Sequence, residues 1–184
     1  MNLQVQTEVK QILFTALSNE NDSAIRHQIC DAIGEIGGTL MEHQDQFNEN
    51  MQPSQNKWPE LPAVIMQLLS CPSENLIESG LKILATLFTY ASETFVKEKE
   101  ALLNIFRGGL TNTSKNIKLA ALEALGSFIE IVEPKHTKKF EELIPALLES
   151  VYALLTEDEN YVHKSIPERI VFKDLLYLQR VKML

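Results

Sequence analysis

The sequence predicts an all-α solenoid, built from helix pairs stacked side by side with no sheet. Three observations predict it. Apolar residues recur at three- and four-residue intervals along most of the 184 residues. Short polar turns punctuate these stripes. Equivalent second helices then start at Ile25, Leu76 and Ile117, separations of 51 and 41 residues.

The segment from Asn112 to Val132 shows the pattern most completely. Its apolar positions 117, 121, 122, 124, 125, 128, 129 and 132 fall on one broad stripe, too wide for a coiled-coil seam. A helix of this kind needs neighbours on two sides. Thr113 or Ser114 is placed to accept the first free amides, and Pro134 follows the last turn.

Upstream, Leu3 to Leu17 carries Leu3, Val5, Val9, Ile12, Leu13, Ala16 and Leu17 at helical spacing. The polar turn 18–22 follows, with Asp22 or Ser23 as the next cap. A helix over about 24–42 is expected to bury Ile25, Ile29, Ala32, Ile33, Ile36 and Leu40. Gly34, Gly37 and Gly38 each weaken it by about 1 kcal/mol relative to alanine. Close approach to a neighbouring helix is the reason expected for tolerating them.

Residues 43–57 read as the one long loop. Trp58-Pro59-Glu60-Leu61-Pro62 reopens helical structure, which ends before Pro72. Further helices are expected over about 74–92, with Leu76, Ile77, Leu81, Ile83, Leu84, Leu87 and Phe88 inward, then over 95–110 and 137–156. Leu61-Pro62-Ala63-Val64-Ile65 resembles Ile144-Pro145-Ala146-Leu147-Leu148 at a distance of 83, two units of about 41. Helix pairs with a period near 40 define HEAT-type repeats, an armadillo-like right-handed superhelix of about four pairs. The units fall at about 3–43, 58–92, 94–133 and 137–166. Pro145 becomes a kink within a first helix. Pro167 interrupts the last unit, and residues 167–184 read as an atypical terminal helix restarting at a Ser165–Glu168 capping box. A segment of solenoid presents apolar end surfaces, so self-association through 3–17 and 170–184, or a refolded helix covering one of them, is expected.

Bulk composition narrows the function classes. No apolar run approaches the roughly 18–20 residues needed to cross a bilayer, and the first ten residues do not read as a secretory leader. A net charge of −8 argues against duplex binding, which needs a basic stripe. Cys30 and Cys71 lie in apolar helical contexts and read as small buried residues of a reducing compartment.

No chemistry stands out. The glycines do not form a phosphate loop, and His27, His43, His136 and His163 lack partners at metal-ligand spacing. Carboxylate pairs such as Glu141-Glu142 sit at helix starts or turns, where solvated charge is the default. The expectation is no enzyme, no cofactor and no metal.

The outward phase of the second helices is the candidate binding face. At the 51 and 41 offsets one row carries Asp31, Lys82 and Glu123. One turn on it carries Glu35, Thr86 and Ser127, and a further turn Gly38, Thr89 and Glu130. Asp31, Glu35, Glu123 and Glu130 would accept lysine or arginine from a partner, with Lys82 and Ser127 beside them.

Three stretches resemble nuclear transport receptors of the importin-β (karyopherin-β) family, nearest its importin-β3 branch. They are Leu3 to Leu13 with Ala24 to Ile33, then Asn56-Lys57-Trp58-Pro59-Glu60-Leu61, and Phe140 to Leu148 with Asp158 to Val162. The resemblance covers about residues 3–166 and implies an internal portion of a superhelix of about twenty repeats. It implies partners as well: the GTPase Ran, phenylalanine-glycine nucleoporins and basic cargo, met in cytoplasm and nucleus. Second helices would line the inside of the superhelix, and nucleoporins would meet first helices. The competing reading is a generic HEAT scaffold subunit, for example of a phosphatase.

Overall fold

Helix boundaries follow the polar turns. In a computed structural model of the chain, which describes residues 3–42, 58–90, 95, 98–133 and 138–157, seven α-helices form and no strand occurs among those residues. They are α1 (Leu3–Asn19), α2 (Ser23–Glu42), α3 (Leu61–Leu69), α4 (Glu74–Phe88), α5 (Lys99–Leu110), α6 (Lys115–Ile131) and α7 (Ile144–Glu157). A 3-10 turn over Lys138–Leu143 leads into α7. The helix pairs α1–α2, α3–α4 and α5–α6 are three HEAT units, and α7 is the first helix of a fourth. The expected long loop, the second helix of the fourth unit and the terminal helix over 167–184 lie outside the described residues, as does the end surface at 170–184.

Local chemistry sets the ends. Asp22 is the cap of α2, its Oδ1 accepting the amides of Ala24 at 2.9 Å and Ile25 at 3.1 Å. The start of α6 departs from expectation. Ser114 makes no side-chain capping bond, and Asn112 Oδ1 instead accepts the Ser114 amide at 2.9 Å. Pro62 and Pro145 each stand at the second position of a helix, where the missing N–H removes no bond. The proline therefore marks where the 3-10 turn becomes α7, not a kink in its interior.

Burial confirms the phase of α6: Ile117, Ala121, Leu122, Ala124, Leu125, Phe128 and Val132 are all buried, and Ile129 is half-buried. The phase of α4 is equally well met, with Leu81, Ile83, Leu84, Leu87 and Phe88 in the core. The first pair differs. Ile12 is 65% and Ile25 47% exposed, and Val5 and Ile36 are exposed too. Helical spacing shows which residues share a face; it does not show how many neighbours that face has. Among the described residues α1 and α2 meet further helices on one side only, so part of their apolar stripe stays open.

Two devices hold the helices together, within and between units. The first is aromatic. Phe88 of α4, Phe106 of α5, Phe128 of α6 and Phe140 of the 3-10 turn pack with centroid separations between 4.9 and 6.1 Å, mostly tilted or edge-on as ring quadrupoles favour. The second is close backbone approach. A Cβ on Gly34 would lie 2.5 Å from Thr86 Cβ, and one on Gly38 2.5 Å from Tyr90 Cδ2. Gly109 likewise admits Ala121, whose Cβ would be 2.6 Å away. These glycines carry their helical cost because α4 could not otherwise come so near α2, nor α6 so near α5. α4 packs extensively on α2 on one side and on α6 on the other, whereas successive first helices barely touch.

The buried Leu122 provides a measure of the α6 phase. Leu122→Ala should cost about 2–5 kcal/mol in urea denaturation, through lost burial and the cavity left behind. The glycines separate space from propensity. Gly34→Ala should destabilise by about 1–3 kcal/mol because Thr86 cannot yield. Gly126→Ala, with nothing within 4 Å of its new methyl group, should stabilise by about 0.5–1 kcal/mol, read from the same curves.

A candidate protein-binding face

The charged row across the second helices forms through the repeat. Lys82 of α4 and Glu123 of α6 lie 41 positions apart, and Lys82 Nζ donates to Glu123 Oε2 at 2.8 Å. Their side chains are 21% and 44% exposed. Glu123 is thus already engaged by a cation of its own chain. Asp31 and Glu35 are exposed on α2, one helical turn apart. Ser127 is half-buried and Glu130 exposed, on successive turns of α6. Lys82 and Glu123 are the members of this row joined directly by a hydrogen bond.

One turn towards the N-terminus of this row lies a network that sequence reasoning missed. Glu78 is buried, and its Oε2 accepts Arg26 Nη2 at 3.0 Å while its Oε1 meets His27 Nε2 at 2.8 Å. Arg26 is 2% exposed and also reaches the Asn21 carbonyl and Asn75 Oδ1, each at 3.4 Å. Two opposite charges inside apolar helices were visible in the sequence. Arg26 and Glu78 lie 52 residues apart, one more than the 51 offset read from Ile25 to Leu76, so the row alignment did not pair them.

Cys30 fills the space behind the row. Its thiol is pushed up to about 11, chiefly by burial; the Asp31 carboxylate acts in the same sense, and a hydrogen bond with Ser79 and the Lys82 and Arg26 charges oppose it. Such a thiol is a packing group, not a nucleophile. Among the described residues no cluster of three or more His, Cys, Asp or Glu side chains could hold a metal ion.

The opposite, first-helix layer carries apolar grooves. Between α1 and α3 the floor is Phe14, Trp58 and Val64, with Lys10 lying 5.3 Å above the Trp58 ring. Between α3 and α5 a cavity of about 570 Å³ is lined by Pro62, Met66, Leu84, Phe95, Leu102 and Ile105 among others.

Comparison with known families gives these two layers a context. A family model described as "IPO5-like, TPR repeats" matches residues 21–170. The chain belongs to the IPO5-like family. Its unit spacing of 41 residues follows the HEAT period, longer than the 34 of a tetratricopeptide repeat.

Similar proteins include importin subunit beta-3 of Saccharomyces cerevisiae, 25% identical over 91% of this chain. A probable importin-5 homolog of Dictyostelium discoideum is 28% identical over 78%. The chain spans 14% and 12% of their respective lengths. Among solved structures, Kap121p bound to Nup53p superposes with a TM-score of 0.64 at 24% identity, over 93% of this chain and 15% of that one. Kap121p bound to RanGTP gives 0.58 at 25%, over 84% and 13%. A Kap121p variant with three acidic residues changed to lysine, 43 and 42 positions apart, gives 0.64 at 24%, over 92% and 15%.

Removing one partner of the buried pair leaves the other charge uncompensated. Glu78→Ala should therefore cost about 3–5 kcal/mol, and Arg26→Met with Glu78→Leu together clearly less. Urea denaturation of the single and double variants checks the order.

Proposed function

We propose that this chain is a protein-binding segment of a nuclear import receptor, working between cytoplasm and nucleus. Its second-helix row takes basic segments of cargo or of Ran, and its first-helix grooves take nucleoporin side chains. Membership of the IPO5-like family supports the receptor reading. The single observation that carries the placement is the unequal packing of the two layers. Second helices press together while first helices stand apart, so the solenoid bends towards the second-helix side and the charged row lines its concave surface.

That surface carries Asp31, Glu35, Glu123 and Glu130 with Lys82 and Ser127 between them. Acidic groups held on rigid helices attract basic segments with little ordering cost on the receptor side. The grooves offer apolar walls, with Phe14, Trp58 and Val64 in one and Met66, Leu102 and Ile105 in the other. The Kap121p complex with Nup53p and the Kap121p variant reversed at three acidic positions near the repeat spacing support looking for protein partners on a solenoid of this kind.

The test is a pull-down with GTP-loaded Ran, phenylalanine-glycine nucleoporin repeats and a phosphatase catalytic subunit. Retention of Ran or nucleoporin repeats is expected; capture of the phosphatase alone would establish a generic scaffold instead. Glu35→Lys, Glu123→Lys and Glu130→Lys combined should abolish the salt-sensitive binding of a basic cargo segment. Stability should fall by no more than about 1 kcal/mol per site, since exposed charges contribute little to folding. Equal affinity of variant and wild type would remove the row from the binding surface.

A further inference from the structure

The first helix pair leaves open an apolar face that the second and third pairs bury. We infer that this face of α1 and α2 binds a second copy of the same chain in a two-fold dimer. The inference is independent of the charged row and of the first-helix grooves, neither of which it uses.

The repeat shows what the face is built for. At the 51 and 41 offsets Ile36 corresponds to Leu87 and Phe128, Ala32 to Ile83 and Ala124, and Ile25 to Leu76 and Ile117. Leu87, Phe128, Ile83, Ala124 and Ile117 are fully buried, and Leu76 is half-buried. Part of that burial is against the preceding unit, since a Cβ on Gly37 of α2 would lie 3.3 Å from Leu87 Cδ2. In the first unit the same phase is bare: Ile25 and Ile36 are exposed. Val5 and Ile12, also exposed, extend the stripe across α1, on the side away from the groove that Lys10 and Phe14 share with Trp58. Charge is sparse here. Gln28 and Ala32 lie between Ile25 and Ile36, and Glu8 is the one charged residue around the shallow groove at Ile12 and Ala16. Apolar residues with few charges among them are the composition of an interface centre.

The face is also self-matching. α1 and α2 run antiparallel across the turn 20–22, so Ile12 stands level with residues 30–31. A two-fold axis at that level, perpendicular to both helices, sets Ile12 on the partner's Ile12. It sets Ile25 on the partner's Ile36, Ile36 on the partner's Ile25, and Gln28 beside the partner's Ala32. Glu8 then faces the partner's Thr15 and not a like charge. A face that matches itself under a two-fold needs only one patch per chain, and the assembly closes at two.

The area suits a weak dimer. α1 and α2 span 17 and 20 residues, about 25–30 Å at 1.5 Å per residue. With each helix about 10 Å wide, the face covers about 500–600 Å² per copy, or about 1,000–1,200 Å² for the pair. That reaches the roughly 1,000 Å² of a specific interface at its low end, so association in the micromolar range is expected. Asp31 and Glu35 border the face, and each chain has a net charge of −8. Salt screens this repulsion and should therefore favour the dimer.

Sedimentation equilibrium of the whole chain, from about 1 to 200 μM, reads the association directly. The mass should rise from 20.9 kDa towards twice that value, and added sodium chloride should strengthen the dimer. Ile12→Glu and Ile25→Glu, at positions exposed in the single chain, should each weaken it at least tenfold with helical circular dichroism unchanged. Tyr152→Glu, within the separate exposed stripe Leu148, Tyr152 and Leu155 of α7, should associate as wild type does. Fluorescein-labelled Ile12→Glu should also pair poorly with wild type, because a two-fold contact needs the face on both copies. Full pairing in that mixture, or loss of association in Tyr152→Glu, means a head-to-tail contact and overturns the inference. So does a dimer that salt dissolves, which would be held by charges elsewhere. A mass of 20.9 kDa at every concentration overturns it too, leaving the face to residues of its own chain or to a different protein. If Ile25→Glu does not fold, the more exposed Ile12→Glu decides.

Discussion

The spacing between second helices is the constraint on which the rest depends. It is fixed at backbone level, where Gly34 and Gly38 leave no room for a side chain beside Thr86 and Tyr90. A helix interior accepts such residues only against a penalty in chain entropy. The return is packing of α4 on α2 that larger residues would prevent, and with it the lateral proximity of side chains on successive units. The Lys82–Glu123 bond between α4 and α6 belongs to the same close-packed layer. Without that proximity the charged positions would be separate surface residues, each surrounded by water.

Beneath the row, the Arg26–Glu78–His27 network ties the first unit to the second. A buried ion pair is weak evidence for stability, since desolvating both charges offsets most of their attraction. Its better-attested use is to fix register. Arg26 has one acidic partner within reach in α4, so a shift of α2 by a turn would strand a charge in the core. The phenylalanine cluster from Phe88 to Phe140 provides the cohesion that the pair does not, and it is indifferent to small shifts. Orientation by charge and cohesion by aromatic burial are thus carried by different residues.

Much of this was legible in the residues. The offsets read from Ile25, Leu76 and Ile117 put Lys82 and Glu123 on one row, and the structure joins them. The stripe of α6 was right at nearly every position because that helix has neighbours on both sides. Ile12 and Ile25 were misplaced because periodicity carries no information on how many helices surround a stripe. Arg26 and Glu78 escaped notice for a different reason. Local pattern treats a charge as solvated by default, and the two residues lie 52 positions apart, one off the 51 offset of the rows. The charged row was legible as a set of positions; that Glu123 is engaged by Lys82 became visible only once side-chain distances were known.

The unequal layers also determine how this stretch can flex. Along α2 and α4 the contact is between backbones and side-chain stems, already at van der Waals distance, so compression there meets immediate resistance. On the other side, between α3 and α5, a cavity of about 570 Å³ stands open. Bending that closes this cavity requires no overlap of atoms, whereas tighter coiling would drive glycine against threonine. The second-helix layer therefore behaves as a pivot and the first-helix layer as a gusset. A change in superhelical pitch is taken up by opening and closing grooves, while the charged row keeps its lateral spacing.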